Sequence, residues 1–277
     1  GRVPVKLTVL GSAAAEGWPA LFCECATCQE ARKLGGRNLR RRTAYRLDDG
    51  LLIDFGPDAL WQVTEFGIDL SLIDDILLTH SHGDHLTPMS FYYRRQGYSV
   101  VTRQLAVHAN AHALKCIRDV TGPSEETFRL ALHEVRPAQQ FSAGPYMVTA
   151  LEAQHASDDE DALNYIIQRD GRTILIGHDT GWWLERTWDL VAGFRIDLAI
   201  LECTYGLLNA DMRSHHLGVA ATVAFRDELQ HRGALAAGAH VVANHFSHNG
   251  AANYDELCEW FAPHGIEVGY DGLVLEI

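Results

Sequence analysis

The sequence of 277 residues lacks a long apolar run. No stretch approaches the roughly 20 apolar residues that a helix needs to span a bilayer, which argues against an integral membrane protein. The sequence also lacks the apolar centre and small-residue cleavage site of a secretory signal, because Arg2–Lys6 leads directly into a predicted strand. We therefore expect a cytoplasmic protein without a membrane partner.

Basic residues are scarce. The chain has 23 Lys and Arg against 36 Asp and Glu, a formal net charge of −13. This excess of negative charge argues against a nucleic acid partner and favours a small-molecule substrate. Two small basic groups, Arg37 with Arg40–Arg42 and Arg94 with Arg95, are the candidates for phosphate contacts because guanidinium groups suit phosphate recognition.

Cysteine is uncommon, and three of the six cysteines lie close together. Cys23, Cys25 and Cys28 are too near in sequence to pair easily with one another as disulfides. Their spacing is typical of a tetrahedral thiolate site for zinc, which needs a fourth ligand. A group of reduced thiols is the alternative. The size of the chain favours metal and free thiols in a reducing compartment over a disulfide framework.

Residues 80–85 read His-Ser-His-Gly-Asp-His and follow a short apolar run. That run predicts a buried strand that delivers the polar residues at its carboxyl end. His80 and His82 are two residues apart, so both imidazoles can face one side, while Asp84 and His85 can face a second point nearby. Four such side chains in six residues suit two adjacent divalent ions.

H-x-H-x-D-H is the signature of the metallo-β-lactamase-fold hydrolases, and the hexapeptide resembles it in full. The resemblance implies an α/β fold, a four-layer αββα sandwich with a dinuclear metal site between its two sheets. It also implies ligands at later strand ends, where His155, Asp179 and His245 stand in the family's order; His178 is less favoured than Asp179 because a bridging ligand needs a carboxylate. The implied ligands are His80, His82 and His155 for the first ion, Asp84, His85 and His245 for the second, and Asp179 as the bridge.

His248 stands three residues after His245 and is the candidate for the fourth ligand of the cysteine cluster. One turn would then direct His245 into the dinuclear site and His248 to a structural zinc ion. Such a Cys3His site would tie an N-terminal loop, about residues 17–42, to the C-terminal region.

The C-x-C-x-x-C motif, which follows Leu10–Ser12 and Gly17–Pro19, resembles the PhnP-like branch of the superfamily, the phosphoribosyl cyclic phosphodiesterases. This resemblance implies a catalytic histidine on a loop before a helix. That role falls on His216, because the following helix keeps the family's apolar spacing, and His215 stays open as the alternative. Val9–Ala14 is similar to PqqB, a more distant relative from quinone-cofactor biosynthesis with a degenerate metal motif, whereas the motif here is intact.

The resemblances imply a metal-dependent phosphoric diester hydrolase for a small cyclic phosphate, such as 5-phosphoribosyl 1,2-cyclic phosphate, with a bridging hydroxide as the nucleophile. Asp84 would hold one ion and orient that nucleophile, His216 would donate a proton to the leaving oxygen, and Glu202 is a candidate for orienting ligand histidines. The expected cofactors are two Mn or Zn ions, with Fe as a further candidate, and one structural Zn. The alternatives are a nuclease or other phosphodiesterase of the superfamily and a PqqB-like cofactor-biosynthesis protein. A homodimer is common among such relatives.

Hydrophobic periodicity and turn signals predict alternating strands and helices without a repeat or a linker, which favours a single domain over residues 1–277. Strands are predicted near residues 3–10, 44–55, 75–79, 104–108, 146–152, 163–168, 173–177, 197–202, 240–244 and 266–276. Helices are predicted near residues 24–34, 58–66, 110–120, 182–192, 217–231 and 253–262.

Overall fold

The computed structural model describes residues 3–277, and its strands form two sheets. The strands are β1 (Lys6–Gly11), β2 (Ala44–Leu47), β3 (Leu51–Ile53), β4 (Asp75–Leu77), β5 (Leu105–Ala109), β6 (Leu130–Glu134), β7 (Gln140–Ala143), β8 (Tyr146–Glu152), β9 (Leu163–Arg169), β10 (Arg172–Gly177), β11 (Ile196–Glu202), β12 (Leu235–Asn244), β13 (Glu267–Val268) and β14 (Val274–Glu276). The helices are α1 (Ala26–Leu34), α2 (Ala59–Glu65), α3 (Met89–Tyr92), α4 (Ala111–Thr121), α5 (Glu185–Val191), α6 (Val219–His231) and α7 (Tyr254–Phe261).

The first sheet has the order β14-β1-β2-β3-β4-β5-β6, and the second has the order β13-β12-β11-β10-β9-β8-β7. Side chains alternate between the two faces of each strand, so both faces need an apolar cover. Ile174 and Ile176 of β10 pack in the core between the sheets, whereas Leu175 faces the helices. Leu51 and Ile53 of β3 likewise face the other sheet, and Leu52 packs toward α4. The predicted four-layer αββα arrangement is therefore confirmed.

The predicted segments differ from the observed strands in three informative places. The segment 44–55 is an antiparallel pair, β2 and β3, because Asp48 adopts a positive φ of 48° and turns the chain. The segment 266–276 contributes β13 to the second sheet and β14 to the first. The strands β6 and β7 were not predicted, because their half-exposed residues give little hydrophobic signal.

The carboxyl ends of β4, β8, β10, β11 and β12 meet at one edge of the sandwich. In the second sheet, β10, β11 and β12 are parallel, and β8 runs in the same direction because β9 is antiparallel to both β8 and β10. Polar side chains that follow these strands are thus brought together. In residues 3–277, no helix has the length and the apolar character needed to cross a membrane.

Candidate metal centre

Three imidazoles form the first group at this edge. His80 and His82 follow β4, and His155 follows β8; one ring nitrogen from each lies within 4.8 Å of the other two. The distance between Nε2 of His155 and Nδ1 of His82 is 3.2 Å. His80 is buried and His82 is exposed, so the group opens to solvent on one side. A substrate can reach it from that side.

Asp84, His85, Asp179 and His245 form the second group, whose ligand atoms also lie within 4.8 Å of one another. All four side chains are buried. Oδ2 of Asp179 lies 2.5 Å from Nε2 of His85 and 3.1 Å from Nε2 of His245. Oδ2 of Asp84 lies 2.8 Å from Nε2 of His85.

Asp179 also reaches the first group. Its Oδ2 lies 3.6 Å from Nε2 of His80, and its Oδ1 lies 3.7 Å from Nε2 of His155. Asp179 adopts a positive φ of 52°, a conformation that costs backbone energy and is concentrated at functional sites. Its carboxylate therefore stands between the two groups of imidazoles.

The donor set fits divalent ions. Nε2 of His80, His85 and His245 is buried and makes no hydrogen bond of good geometry, although carboxylate oxygens lie close. Such nitrogens are costly to bury without a partner. In each ring the other nitrogen is bound by a neighbour, which leaves the Nε2 lone pair directed at the centre. Imidazole and carboxylate donors together suit Zn, Mn and Fe.

The pKa shifts of the first group and of Asp179 agree with ligand roles. Burial lowers the pKa of His80 well below its ordinary value and lowers the pKa of His155 to about 4, so both rings are neutral near pH 7. Burial raises the pKa of Asp179, but the rings of His245 and His85 outweigh this and hold that pKa well below its ordinary value. Neutral imidazole and ionised carboxylate are the forms that bind metal.

In the second group, burial lowers the pKa of His85 and of His245, but the surrounding carboxylates, Asp84 and Asp179 among them, outweigh this and raise both pKa values well above the ordinary value. Metal binding there would have to displace a proton from each ring.

Asp54, which the sequence reasoning missed, contacts residues behind both ligand groups and orients their rings. This buried carboxylate lies 2.7 Å from Nδ1 of His85 and 2.8 Å from Nε2 of His178. It also accepts hydrogen bonds from the backbone N–H and the hydroxyl of Thr79, and that hydroxyl lies 3.0 Å from Nδ1 of His80. Nε2 of His178 is therefore directed at Asp54, while its ring stacks on the rings of His85 and His245. In the sequence, the indication of this role was the position of Asp54 directly after β3.

Glu202, at the end of β11, plays the same part on the other side. Its carboxylate accepts a hydrogen bond from the hydroxyl of Thr204, which lies 2.7 Å from Nδ1 of His245. Its Oε1 lies 3.2 Å from Nδ1 of His216. The backbone N–H of Leu217 donates to Glu202 at 2.6 Å, so the carboxylate is held firmly. These contacts orient the rings of His245 and His216.

His216 and His215 point to different places. Nδ1 of His216 lies 3.4 Å from Oδ1 of Asp179. Burial lowers the pKa of His216, but the carboxylates of Glu202 and Asp179 outweigh this and raise it. His216 lines a cavity of about 350 Å³ over the two ligand groups, which we call the metal cavity; it is also lined by Glu16, Tyr205, Ser247 and Asn249. His215 adopts a positive φ of 63°, and its side chain is exposed outside that cavity.

Among the described residues that line the metal cavity, none belongs to the acidic segment 157–161. Glu160 accepts hydrogen bonds from the backbone N–H of Ser81 at 2.7 Å and from its hydroxyl at 2.8 Å. Asn110, which caps α4, donates to Glu160 at 3.0 Å. Ser81 stands between His80 and His82, so Glu160 holds the loop that carries both imidazoles.

The cysteine cluster meets His248, as its residue types and spacing suggested. Ligand atoms of Cys23, Cys25, Cys28 and His248 lie within 4.8 Å of one another. Nδ1 of His248 lies 3.5 Å from Sγ of Cys25, and all six cysteines of the chain are free thiols. Burial raises the pKa of Cys25, but hydrogen bonds from Thr27 and His248 outweigh this and lower it to about 5. Four convergent S and N donors fit a tetrahedral zinc ion.

The basic groups serve internal contacts. Arg40 is buried and donates to the backbone carbonyl of Gly269 at 2.6 Å, and Arg42 pairs with Asp58 at 3.1 Å. Arg94 donates to backbone carbonyls, one of them that of Phe128 at 2.9 Å. Among the described residues that line the metal cavity there is no Lys or Arg. The expected phosphate contacts of these arginines are therefore not seen at the centre.

Comparisons with known proteins agree with this geometry. Residues 50–241 match the model of the β-lactamase superfamily domain. Over 126 residues the chain is 25% identical to ribonuclease Z of Thermoplasma acidophilum, across 44% of this chain and 40% of that relative. The chain thus spans about two fifths of the length of that curated relative.

Two solved structures share the fold over nearly their whole length. One is described as a new diphosphatase from the PhnP family, with a TM-score of 0.77 and 21% identity over 99% of this chain and 98% of that chain. The other is Zn²⁺-bound PqqB from Methylobacterium extorquens, with a TM-score of 0.75 and 17% identity over 98% of this chain and 100% of that chain. At these identities the likeness shows the fold.

Proposed function

The chain belongs to the β-lactamase superfamily, and we propose that it is a metal-dependent phosphodiesterase that hydrolyses a small cyclic phosphate. The observation that carries the proposal is the carboxylate of Asp179, which stands within 3.7 Å of imidazole nitrogens of both ligand groups. A shared carboxylate between two convergent donor sets is the arrangement of a two-metal hydrolytic site.

Each ligand group would hold one divalent ion, with Mn, Zn or Fe as the candidates. Bound ions would neutralise charge on the phosphoryl oxygens and lower the pKa of water, so that a nucleophile exists near neutral pH. A separate zinc ion in the cysteine cluster would have a structural role. The ligands are His80, His82 and His155 for one ion, Asp84, His85 and His245 for the other, Asp179 for both, and Cys23, Cys25, Cys28 and His248 for the structural zinc.

Side chains beside the proposed ions would position the attacking oxygen and supply a proton to the leaving oxygen. Asp84 would hold one ion and orient the attacking water. His216, held by Glu202 at 3.2 Å, donates a proton to the leaving oxygen on the open side of the cavity. His215 is not suited to this role, because its side chain points away from the metal cavity.

The candidate substrate is 5-phosphoribosyl 1,2-cyclic phosphate, which the intact H-x-H-x-D-H motif and the cysteine cluster favour. An RNA substrate is the second candidate, because ribonuclease Z of Thermoplasma acidophilum is among the relatives. The expectation that a nucleic acid is not the partner finds no support in that comparison. The net charge of −13 describes the whole surface, and it does not decide what one cavity binds.

The test is phosphorus NMR of the cyclic phosphate incubated with protein loaded with Mn²⁺ or Zn²⁺, beside a chelated sample. Ring opening to the bisphosphate that depends on metal and is lost in His82→Ala supports the proposal. If neither the cyclic phosphate nor an RNA is cleaved by protein with verified metal content, the phosphodiesterase assignment is wrong.

A further inference from the structure

A cavity of about 390 Å³ lies on the outer face of the first sheet, and we call it the sheet cavity. Its volume is within the range of small-ligand pockets, and among the described residues it shares no lining residue with the metal cavity. The neighbouring strands β3, β4 and β5 supply the buried side chains of Leu52, Ile76 and Leu105. Phe91 of α3 is also buried on its wall. The cavity therefore offers an apolar floor to a ligand.

Apolar side chains also stand around this cavity in contact with solvent. Val100 is 98% exposed, and Leu72 and Tyr93 are each 51% exposed. Single exposed apolar side chains are ordinary on a protein surface, but a group of them beside a cavity is typical of a binding site. An apolar ligand group that removed this surface from water would gain free energy.

Arg94 brings a positive charge to the wall of the sheet cavity. Three backbone carbonyls hold its guanidinium: Nε donates to Phe128 at 2.9 Å, and Nη2 donates to Arg103 at 3.0 Å and to Arg129 at 3.1 Å. Within residues 3–277, Nη1 makes no hydrogen bond and the guanidinium makes no ion pair. Burial and the nearby charge of Arg129 lower the pKa of Arg94. An anion at this wall would therefore stabilise a cation that has no carboxylate partner.

The other polar groups of the wall leave that charge uncompensated. Among the described lining residues there is no Asp or Glu, although the chain carries 36 acidic residues. Arg103 also lines the cavity, but it is paired with Asp74. The hydroxyls of Ser90, Ser99 and Thr102 lie on the same wall, and none bonds to another described residue. The wall thus combines one free cation with several free hydroxyl groups.

We propose that the sheet cavity binds a carboxylate with an apolar tail, such as a medium-chain fatty acid. The tail would lie on the floor formed by the three strands, and the carboxylate would accept hydrogen bonds from Arg94 and the neighbouring hydroxyls. One free guanidinium matches a single negative charge, whereas a polyanion would bring further charges that nothing on this wall neutralises. The site goes beyond the proposed function and does not depend on it.

Calorimetric titration with octanoate tests the site. Acetate, which lacks the tail, and octanol, which lacks the charge, are the matched ligands. Each is titrated into the full chain, once chelated and once loaded with Zn²⁺, because a carboxylate that binds only to catalytic ions would bind only to the loaded protein. We expect octanoate to bind both forms equally, and about tenfold or more tightly than either matched ligand, since each of these lacks one half of the interaction.

Two variants separate the charge from the cavity space. Arg94→Gln should weaken octanoate binding about tenfold or more and leave octanol binding unchanged, because it removes the cation and keeps the apolar floor. Arg95→Gln is the matched control, because this neighbouring arginine does not line the cavity. Ser90→Phe keeps the charge but occupies cavity space, so it should abolish the binding of both ligands in protein with a normal unfolding transition. Ser90→Phe decides the test if Arg94→Gln does not fold.

The site is overturned if the chelated protein does not bind octanoate, or if Arg94→Gln or Ser90→Phe binds it as the wild type does. Octanol that binds as tightly as octanoate overturns the role of Arg94. Sedimentation of the unliganded chain tests a second copy as the occupant: a dimer that is lost in Val100→Asp overturns the small-ligand site, and an unchanged state of association supports it. These measurements do not use hydrolysis, so failure of this site is distinguishable from failure of the proposed function.

Discussion

Replacement of Asp54 tests whether the metal centre depends on a carboxylate that touches no ion. Asp54 accepts hydrogen bonds from the backbone and hydroxyl of Thr79, and it lies 2.7 Å from His85 and 2.8 Å from His178. In Asp54→Asn the side-chain volume and one acceptor oxygen remain. The NH2 group that replaces the second oxygen is a hydrogen-bond donor, and it would face the donors that now bind the carboxylate. The positive φ of 65° at this position suits asparagine, so the backbone adds no strain.

The magnitude follows from these contacts. Loss of a carboxylate that orients a ligand ring typically weakens metal binding by roughly 10- to 100-fold. We expect this loss in Asp54→Asn, together with about 1–3 kcal/mol of unfolding free energy for a buried donor without an acceptor. Asp54→Ala, which leaves several buried donors unpaired, should lose about 3–5 kcal/mol.

Urea unfolding of chelated protein measures the stability, and competition with a metal indicator measures the affinity. Asp119→Asn is the matched control, because Asp119 forms a solvent-exposed pair with Lys115, and such pairs contribute little to stability. Wild-type metal affinity and wild-type stability in Asp54→Asn would refute the reasoning, since they would show that the rings hold their orientation without the carboxylate.

Three further changes probe other parts of the site. His82→Ala should abolish turnover and leave the unfolding transition of the chelated protein unchanged, because His82 is exposed; residual activity at the wild-type level would contradict the two-metal site. Cys25→Ser should lower the zinc content by about one ion per chain and reduce thermal stability by several degrees, as measured by elemental analysis and calorimetry, while turnover of the remaining folded protein persists. In Gly181→Ala, the added Cβ would lie 2.4 Å from the carbonyl oxygen of Arg213 and displace the segment that precedes His216. We expect kcat to fall about tenfold or more with both catalytic ions retained. An unchanged kcat would show that this contact does not position His216.

The convergence of the candidate ligands was predictable because their signals are local. The hexapeptide places four donors within six residues, and the later ligands follow apolar strands that are recognisable one by one. The sandwich followed from the family resemblance, and the helix positions followed from their apolar periodicity. The order of the strands and the switch of the chain between sheets at β13 and β14 were not predictable, because they depend on pairing between distant segments.

Other roles depended on contacts across the chain. Asp54 resembles any acidic residue after a strand, and only the sandwich brings it under His85 and His178. The acidic segment 157–161 gave no sign that Glu160 would hold the Ser81 backbone. Arg40 suggested a phosphate contact, yet it is buried against Gly269.

The sequence by itself determined which chemical groups are present and which of them neighbour one another along the chain, because spacing along a strand or a turn is set by covalent geometry. The tertiary structure decided what each side chain faces. His215 and His216 are adjacent in sequence, but a backbone turn at His215 and the carboxylate of Glu202 direct them to different places. Burial and hydrogen-bond partners from distant segments make that choice, and these exist only once the two sheets have packed together.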